Sequence, residues 1–332
     1  MMSRLDRRRF LAAAGSVALA GSASSIGKPA MAQTAFPSRP LRLIVPAPAG
    51  SRHGLSARLF AESLARELRQ PVEVVNPENS PALSYAFMAK AKADGYTLGY
   101  ATVELAILHW RGLSDLTPAD FAPIALLNED PAGIHVRSDS QWLSAKQLMD
   151  HIKSNPGKLK ASSTPAGGIW HLSTVSWLRA VGLGVDALPW VPSTGPAAAV
   201  EEMMLGGADV VVCSTPEVRS TPQAKSVRTL AVMARNRIAR FGDVPTLQQA
   251  TGTPHTAGAW RCLVAPKATD AATTAALTVA AKRAWDNKEF QDIMQFRGFL
   301  PAWSANQDFA QFLDAADANM GQTLRAAGVI KA

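Results

Sequence analysis

Residues 41–60 read LRLIVPAPAGSRHGLSARLF. An apolar run, a Pro/Gly hinge and an amphipathic segment follow one another within twenty residues. Leu41 to Val45 predicts a short buried strand and 46–54 a loop. From about Leu55 to Arg69 the spacing predicts a helix with Leu55, Leu59, Leu64 and Leu68 on one face, stopped by Pro71. Strand, loop and helix in that order hold a small anion over a helix N-terminus, where free N–H groups and the macrodipole favour negative charge. The middle of this loop, Ser51-Arg52-His53-Gly54, is not a run of glycines.

Reading outward, Pro71–Val75 predicts a second strand, 84–93 a helix ending at Asp94-Gly95, and Tyr96–Tyr100 a third strand. That βαβαβ order implies a parallel sheet covered by helices. A strand at Ile124–Leu127 closes this unit, and another unit opens near residue 132 with a strand at Ile134–Val136. Ser144 caps a helix that stops at Asn155-Pro156-Gly157. Then come a loop at 162–168, a helix at 169–182, a strand at Val185–Val191 and a helix at 196–205. Strands at Asp209–Cys213 and Val227–Ala234 and a helix near 245–251 follow. Arg261–Ala265 looks like a return crossing, and the tail predicts helices at 269–286 and 304–327. No internal repeat is present. The fold class is therefore α/β with two lobes, each a mostly parallel sheet covered by helices, joined by hinge crossings near 130–134 and 256–261. Lobe 1 takes 33–132 plus 259–332 and lobe 2 takes 133–258. A ligand belongs between them, at the carboxyl ends of the strands.

The first 32 residues are set apart. Arg7-Arg8-Arg9-Phe10-Leu11 is a twin-arginine pattern, with Asp6 where Ser or Thr is more usual. A weakly apolar stretch and Ala30-Met31-Ala32 follow, which predicts an exported chain cleaved before Gln33. No apolar run in this segment reaches the roughly 20 residues of a membrane span. The formal charge of the chain is +8. Half of it belongs to this segment (Arg4, Arg7, Arg8, Arg9 and Lys28 against Asp6), so the mature chain carries +4 without a basic block. That is no nucleic-acid footprint, and it mildly favours anionic solutes.

Motifs of catalysis are absent. No G-x-G-x-x-G follows a strand, and neither a phosphate-binding P-loop nor a G-x-S-x-G elbow occurs. The six histidines are scattered and no Cys/His cluster exists, so neither a metal nor a cofactor is implied. Cys213 and Cys262 lie in apolar runs and read as buried free thiols. What recurs is a loop rich in Gly, Pro, Ser and Thr at a strand end, running into a helix: 46–54, 76–84, 162–168 and 192–196. Such loops free backbone N–H groups for carboxylates, although α/β connections are built of these residues in any case.

Phe36-Pro37-Ser38-Arg39-Pro40-Leu41-Arg42-Leu43-Ile44-Val45-Pro46 resembles the opening of the tripartite tricarboxylate transporter substrate-binding proteins, the Bug family. Asp94-Gly95-Tyr96-Thr97-Leu98, Asp120-Phe121-Ala122-Pro123-Ile124, Asn155-Pro156-Gly157-Lys158-Leu159, His171-Leu172, Val191-Pro192 and Asp243-Val244-Pro245-Thr246 continue the likeness in colinear order. The resemblance implies a type II periplasmic binding-protein fold and a monomeric receptor. Such a receptor closes on a small organic anion and delivers it to the integral-membrane subunits of a tripartite permease. It also implies a ligand carboxylate gripped by backbone amides of the first lobe, with side chains of the second lobe adding selectivity.

Carried over position by position, the resemblance marks Pro48, Ala49, Gly50, Ser51, Arg52, His53, Asn79, Ser80, Thr102 and Glu104 in lobe 1 as ligand-binding. In lobe 2 it marks Thr164, Ala166, Gly167, Trp170, His171, Ser193, Thr194 and Ser214. The departures fall on these same positions. Gly54 stands where the family carries an acid, Arg52 and His53 are new, Thr102-Val103-Glu104 replaces Thr-Ser-Gly, and Ser193-Thr194-Gly195 replaces Tyr-Lys-Gly. Cys213-Ser214 replaces Asp-Asn, and Trp170 offers either a stacking surface or a core side chain. Two other readings stay open: a ligand-sensing partner of a signalling receptor, and an exported enzyme on the same scaffold.

Overall fold

The apolar run becomes β1 (Leu41–Ile44), and α1 (Arg52–Leu68) begins at Arg52 rather than Leu55, because Ser51 caps it by accepting a hydrogen bond from Gly54 N at 3.1 Å. The core face of α1 is Ala57, Phe60, Ala61 and Leu64 rather than the leucine row, of which Leu55, Leu59 and Leu68 are only half-buried. Arg69 ends the helix in the left-handed region, and Pro71 prevents its resumption. The computed structural model describes residues 36–77 and 80–330, and the chain from Pro37 onward forms one compact unit. The export segment and its cleavage site lie outside the described residues.

The first lobe continues with β2 (Val72–Val75), α2 (Pro81–Lys90), β3 (Thr97–Thr102) and β4 (Phe121–Arg137). The second holds α3 (Ala145–Ser154), β5 (Ala161–Ser162), α4 (Ile169–Ala180), β6 (Trp190–Val191), α5 (Pro196–Met204), β7 (Val210–Ser214), α6 (Thr215–Arg219), β8 (Val227–Val232) and α7 (Leu247–Thr251). The chain returns along β9 (Gly258–Pro266) and ends in α8 (Ala271–Asp286), α9 (Lys288–Phe296), β10 (Pro301–Ala305) and α10 (Asn306–Ala326).

Two expected strands, 124–127 and 134–136, are one. β4 runs unbroken for 17 residues and serves both lobes. Through Pro131 it pairs antiparallel with β9, and from Ala132 onward with β7 and β8. The expected strand at 185–191 shrinks to Trp190–Val191, because Val185–Ala187 forms a short 3-10 turn and Pro189 offers no N–H. Helix α9 and strand β10 were not foreseen.

The two sheets share a strand order despite the lack of any sequence repeat. The first reads β2-β1-β3-β9-β4 and the second β6-β5-β7-β4-β8, each with a parallel trio followed by an antiparallel strand that arrives from the other lobe. β10 adds an edge against β4 in the first sheet. Each lobe has its own core: Tyr85, Val103, Phe121, Cys262 and Phe309 in the first, Trp170, Trp177, Met203, Val211 and Cys213 in the second. Both cysteines are buried and free.

Candidate functional site

At the head of α1 the loop 47–51 is tied down by its carbonyl oxygens. The Ser51 hydroxyl and N–H both donate to Pro48 O, at 2.6 and 3.0 Å. Arg58 Nη1 reaches Ala49 O at 2.6 Å, and Asn76 Nδ2 reaches Ala47 O at 2.6 Å. Gly50 stands clear of other atoms. A Cβ at Gly54 would lie 2.5 Å from Ala49 O and 2.7 Å from Pro48 O, so this loop shape admits no acidic side chain there. Ser51 takes the Gly54 N–H, while those of Arg52 and His53 meet no acceptor among the described residues.

Two guanidinium groups act on the His53 ring. Arg52 Nη2 donates to Gly298 O at 3.1 Å, and its guanidinium lies 4.4 Å from the centre of the Phe299 ring. The buried Arg261 guanidinium approaches the same ring at 5.1 Å. Burial and the charges of Arg261 and Arg52 hold the His53 ring well below its ordinary pKa, so it is neutral at neutral pH and holds a proton to donate.

Arg261 is balanced from β4. It bonds Asp130 at 2.6 Å and also Asn128; all three residues are buried, and its Nε is left without a partner. Asp130 Oδ1 also accepts from Leu300 N at 3.1 Å and from Asn128 Nδ2 at 3.0 Å. An isolated buried charge is very costly, and this shell of donors is what lets the pair persist at the crossing.

The second lobe meets this corner through α6. Ser214 caps α6, its N–H and hydroxyl both donating to Glu217 Oε2 at 3.1 and 2.7 Å. Burial pushes the Glu217 carboxyl up, opposed by Ser214 and by the positive charge of Arg52. A Cβ at Gly298 would meet Pro216 Cβ at 2.6 Å, so the residues on which Arg52 rests touch the head of α6.

In the loop before α4, Gly167 N donates to His171 Nδ1 at 3.0 Å, which fixes the ring as acceptor there, and burial lowers the His171 pKa to about 4. Thr164 O accepts from Trp190 Nε1 at 3.0 Å, and the His171 and Trp190 rings lie 4.9 Å apart. Gly167, at φ +78, packs close to Arg111 and Val329.

The structure thus brings Pro48–His53 and Ser214 to one corner, and gathers Thr164, Ala166, Gly167 and His171 in the loop before α4. Others it turns elsewhere. Trp170 is a core side chain of the second lobe, 4% exposed, and offers no stacking surface. Thr102 gives its N–H to the Tyr85 hydroxyl (Oη) at 3.1 Å and its hydroxyl to Glu104, so both are engaged inside the first lobe. Ser80 caps α2, Ser193 is half-buried near Gly195 O, Thr194 is exposed, and Asn79 lies outside the described residues.

Sequence reasoning missed Asn128, Asp130, Arg261, Glu217 and Phe299. A signal existed: a charged residue inside an apolar strand, as in Ala259-Trp260-Arg261-Cys262-Leu263, must be paired when buried.

The sequence that builds this corner matches a receptor family. The model of the tripartite tricarboxylate transporter family receptor covers residues 56–329. The chain belongs to this family. Among its relatives is the UPF0065 protein encoded between tcbD and tcbE in Pseudomonas sp. strain P51, 31% identical over 272 residues, 81% of this chain and 79% of that one. A ligand-free TctC solute-binding protein from Polaromonas superposes with a TM-score of 0.79 at 29% identity, over 87% of this chain and 99% of that one. Two Rhodopseudomonas palustris proteins, one solved with adipate and one, MatC, with malate, share the fold at TM-scores of 0.70 and 0.65. Each is 23% identical and covers 88% of this chain, over 98% and 100% of their own lengths. The type II binding-protein fold expected for the Bug family is the one observed.

Proposed function

We propose that this chain is a periplasmic receptor that captures a small carboxylate between its lobes and delivers it to the membrane subunits of a tripartite tricarboxylate permease. The carboxylate sits at the head of α1, on the free N–H groups of Arg52 and His53, with the two side chains adding charge-assisted and neutral donors. Ser51 and Gly50 complete that cradle, and Thr164, Gly167, His171 and Ser214 face it from the second lobe. The lobes comprise 33–132 plus 259–332, and 133–258. They bend where β4 and β9 cross, and ligand shifts the balance between open and closed forms. No bond is made or broken. The mature chain starts at Gln33 and acts as a monomer.

One observation carries this reading: the Arg52 and His53 amides meet no acceptor among the described residues, at a helix start whose arginine rests on Gly298, against the head of α6 in the second lobe. Family membership and the carboxylates bound by its structural neighbours support it. Native mass spectrometry of protein purified without unfolding is expected to reveal a retained organic anion. A thermal-shift series of mono-, di- and tricarboxylates is expected to give a hit worth about 2.7 kcal/mol at a hundredfold excess over Kd. No retained anion and no shift at millimolar concentration would refute it.

A further inference from the structure

Helix α9 ends in a turn that forms a seat for Arg52. Gly298 takes φ +79, a left-handed angle that favours glycine. The N–H groups of Gly298 and Phe299 then donate back to Gln295 O and Met294 O, each at 2.9 Å. This pair of bonds closes a helix end and folds the next apolar side chain against the last turn. Here that side chain is Phe299, which is fully buried, as is Met294. The carbonyls of Arg297 and Gly298 remain at the negative end of the helix, where cations are favoured.

Half-buried Arg52 occupies this seat. Its Nη2 donates to Gly298 O at 3.1 Å, its Nη1 approaches Arg297 O at 3.5 Å, and its guanidinium lies 4.4 Å from the centre of the Phe299 ring. All three partners are uncharged. Arg261 attends the same ring at 5.1 Å, but it is paired with Asp130 at 2.6 Å. No acid pairs with Arg52 among the described residues, and its other N–H groups meet no acceptor there. The acids of this corner are engaged elsewhere, Asp130 by Arg261 and Glu217 by Ser214. A guanidinium held by carbonyl dipoles and an aromatic face is fixed in place without losing its net charge. A side chain ordered in advance also spares the binding step the entropy of ordering it.

Resting on the carboxylate-receptor reading, we propose that Phe299 is a positioning residue for ligand binding: its ring, with the Gly298 carbonyl, holds the Arg52 guanidinium in place and still charged before the ligand carboxylate arrives. Phe299 acts through Arg52.

Calorimetry on the mature chain with acetate, malate, adipate and citrate tests this. Phe299→Leu keeps an apolar side chain without a ring, and is expected to weaken whichever of these acids bind by about three- to tenfold, the effect of ordering one long side chain on binding. In an Arg52→Met background the same change is expected to alter affinity by less than about twofold, because the two residues act as one unit. A side chain that merely supports the fold weakens binding equally in both backgrounds. Pentafluorophenylalanine at position 299 keeps nearly the same shape and removes the negative face of the ring. It is expected to weaken binding by about twofold or more while circular dichroism shows the fold intact, which keeps the test open if the leucine variant does not fold. Equal losses in both backgrounds, or a fluorinated ring that leaves affinity unchanged, overturn the inference and leave the receptor reading standing. No binding of any of the four acids to the parent overturns both.

Discussion

The head of α1 and the heads of α4, α5 and α6 are built from the same loop vocabulary of Gly, Pro, Ser and Thr, yet only α1 carries an arginine in its first turn. At α1 the loop carbonyls are bonded away by Ser51, Arg58 and Asn76, and the Arg52 and His53 amides meet no acceptor among the described residues, while the charges of Arg261 and Arg52 act on the His53 ring. In the second lobe the first-turn amides of Ile169, Trp170 and His171 in α4 and of Ala197 and Ala198 in α5 likewise meet no acceptor among the described residues, but those turns carry no arginine or lysine. Loop composition alone therefore does not make an anion site. What differs between these helix starts is the charge carried in the first turn.

The contrast extends beneath the surface, and its largest consequence is for stability. The first lobe buries an ion pair, whereas the second buries neutral polar groups. Asp130→Ala leaves Arg261 buried and unpaired, and chemical denaturation is expected to show a loss of about 3–5 kcal/mol. Joint replacement, Asp130→Leu with Arg261→Met, is expected to recover most of it. A single variant as stable as the parent would break the contrast.

The second lobe's neutral counterpart is His135, buried on β4 between Thr229 Oγ1 and Cys213 O, each 3.0 Å away. Burial lowers its pKa from 6.5 to about 4. Because the folded value is depressed, the stabilising contribution is complete above the unfolded value and is lost as pH falls from 6.5 toward 4. The ceiling on that loss is about 3 kcal/mol. Stability measured between pH 7 and 4 is expected to fall less steeply in His135→Gln than in the parent. Identical slopes would remove His135 from the account.

Gly54 gives the smallest and sharpest test. Gly54→Ala and Gly54→Asp are expected to weaken carboxylate binding alike, by about 1–3 kcal/mol, because the first added atom collides with backbone carbonyls whatever its charge. A loss confined to the aspartate would mean that charge, not loop shape, governs this position.

The fold was legible where pattern and punctuation agreed. Leu41–Val45, Pro46 and Pro71 delimit strand, loop and helix from local chemistry alone. β4 was misread because Asn128-Glu129-Asp130-Pro131 looks like a turn. Only Arg261 and Leu300, more than a hundred residues away, supply the partners that let those polar groups continue as a strand. Arg52 and His53 were visible as candidates, but their surroundings were not, since Phe299, Arg261 and Glu217 reach them only through sheet pairing and the α9–β10 corner. Trp170, open in the sequence between a stacking surface and a core side chain, and Thr102 are both buried for a related reason: spacing names a loop without saying which way its side chains turn.

A crystal structure of the protein with a carboxylate bound tests the central claim most directly. The expected result is a carboxylate within hydrogen-bonding distance of the Arg52 and His53 amides, with both lobes in contact with the ligand. A carboxylate held by the second lobe's helix starts, with the α1 head unoccupied, would contradict the account.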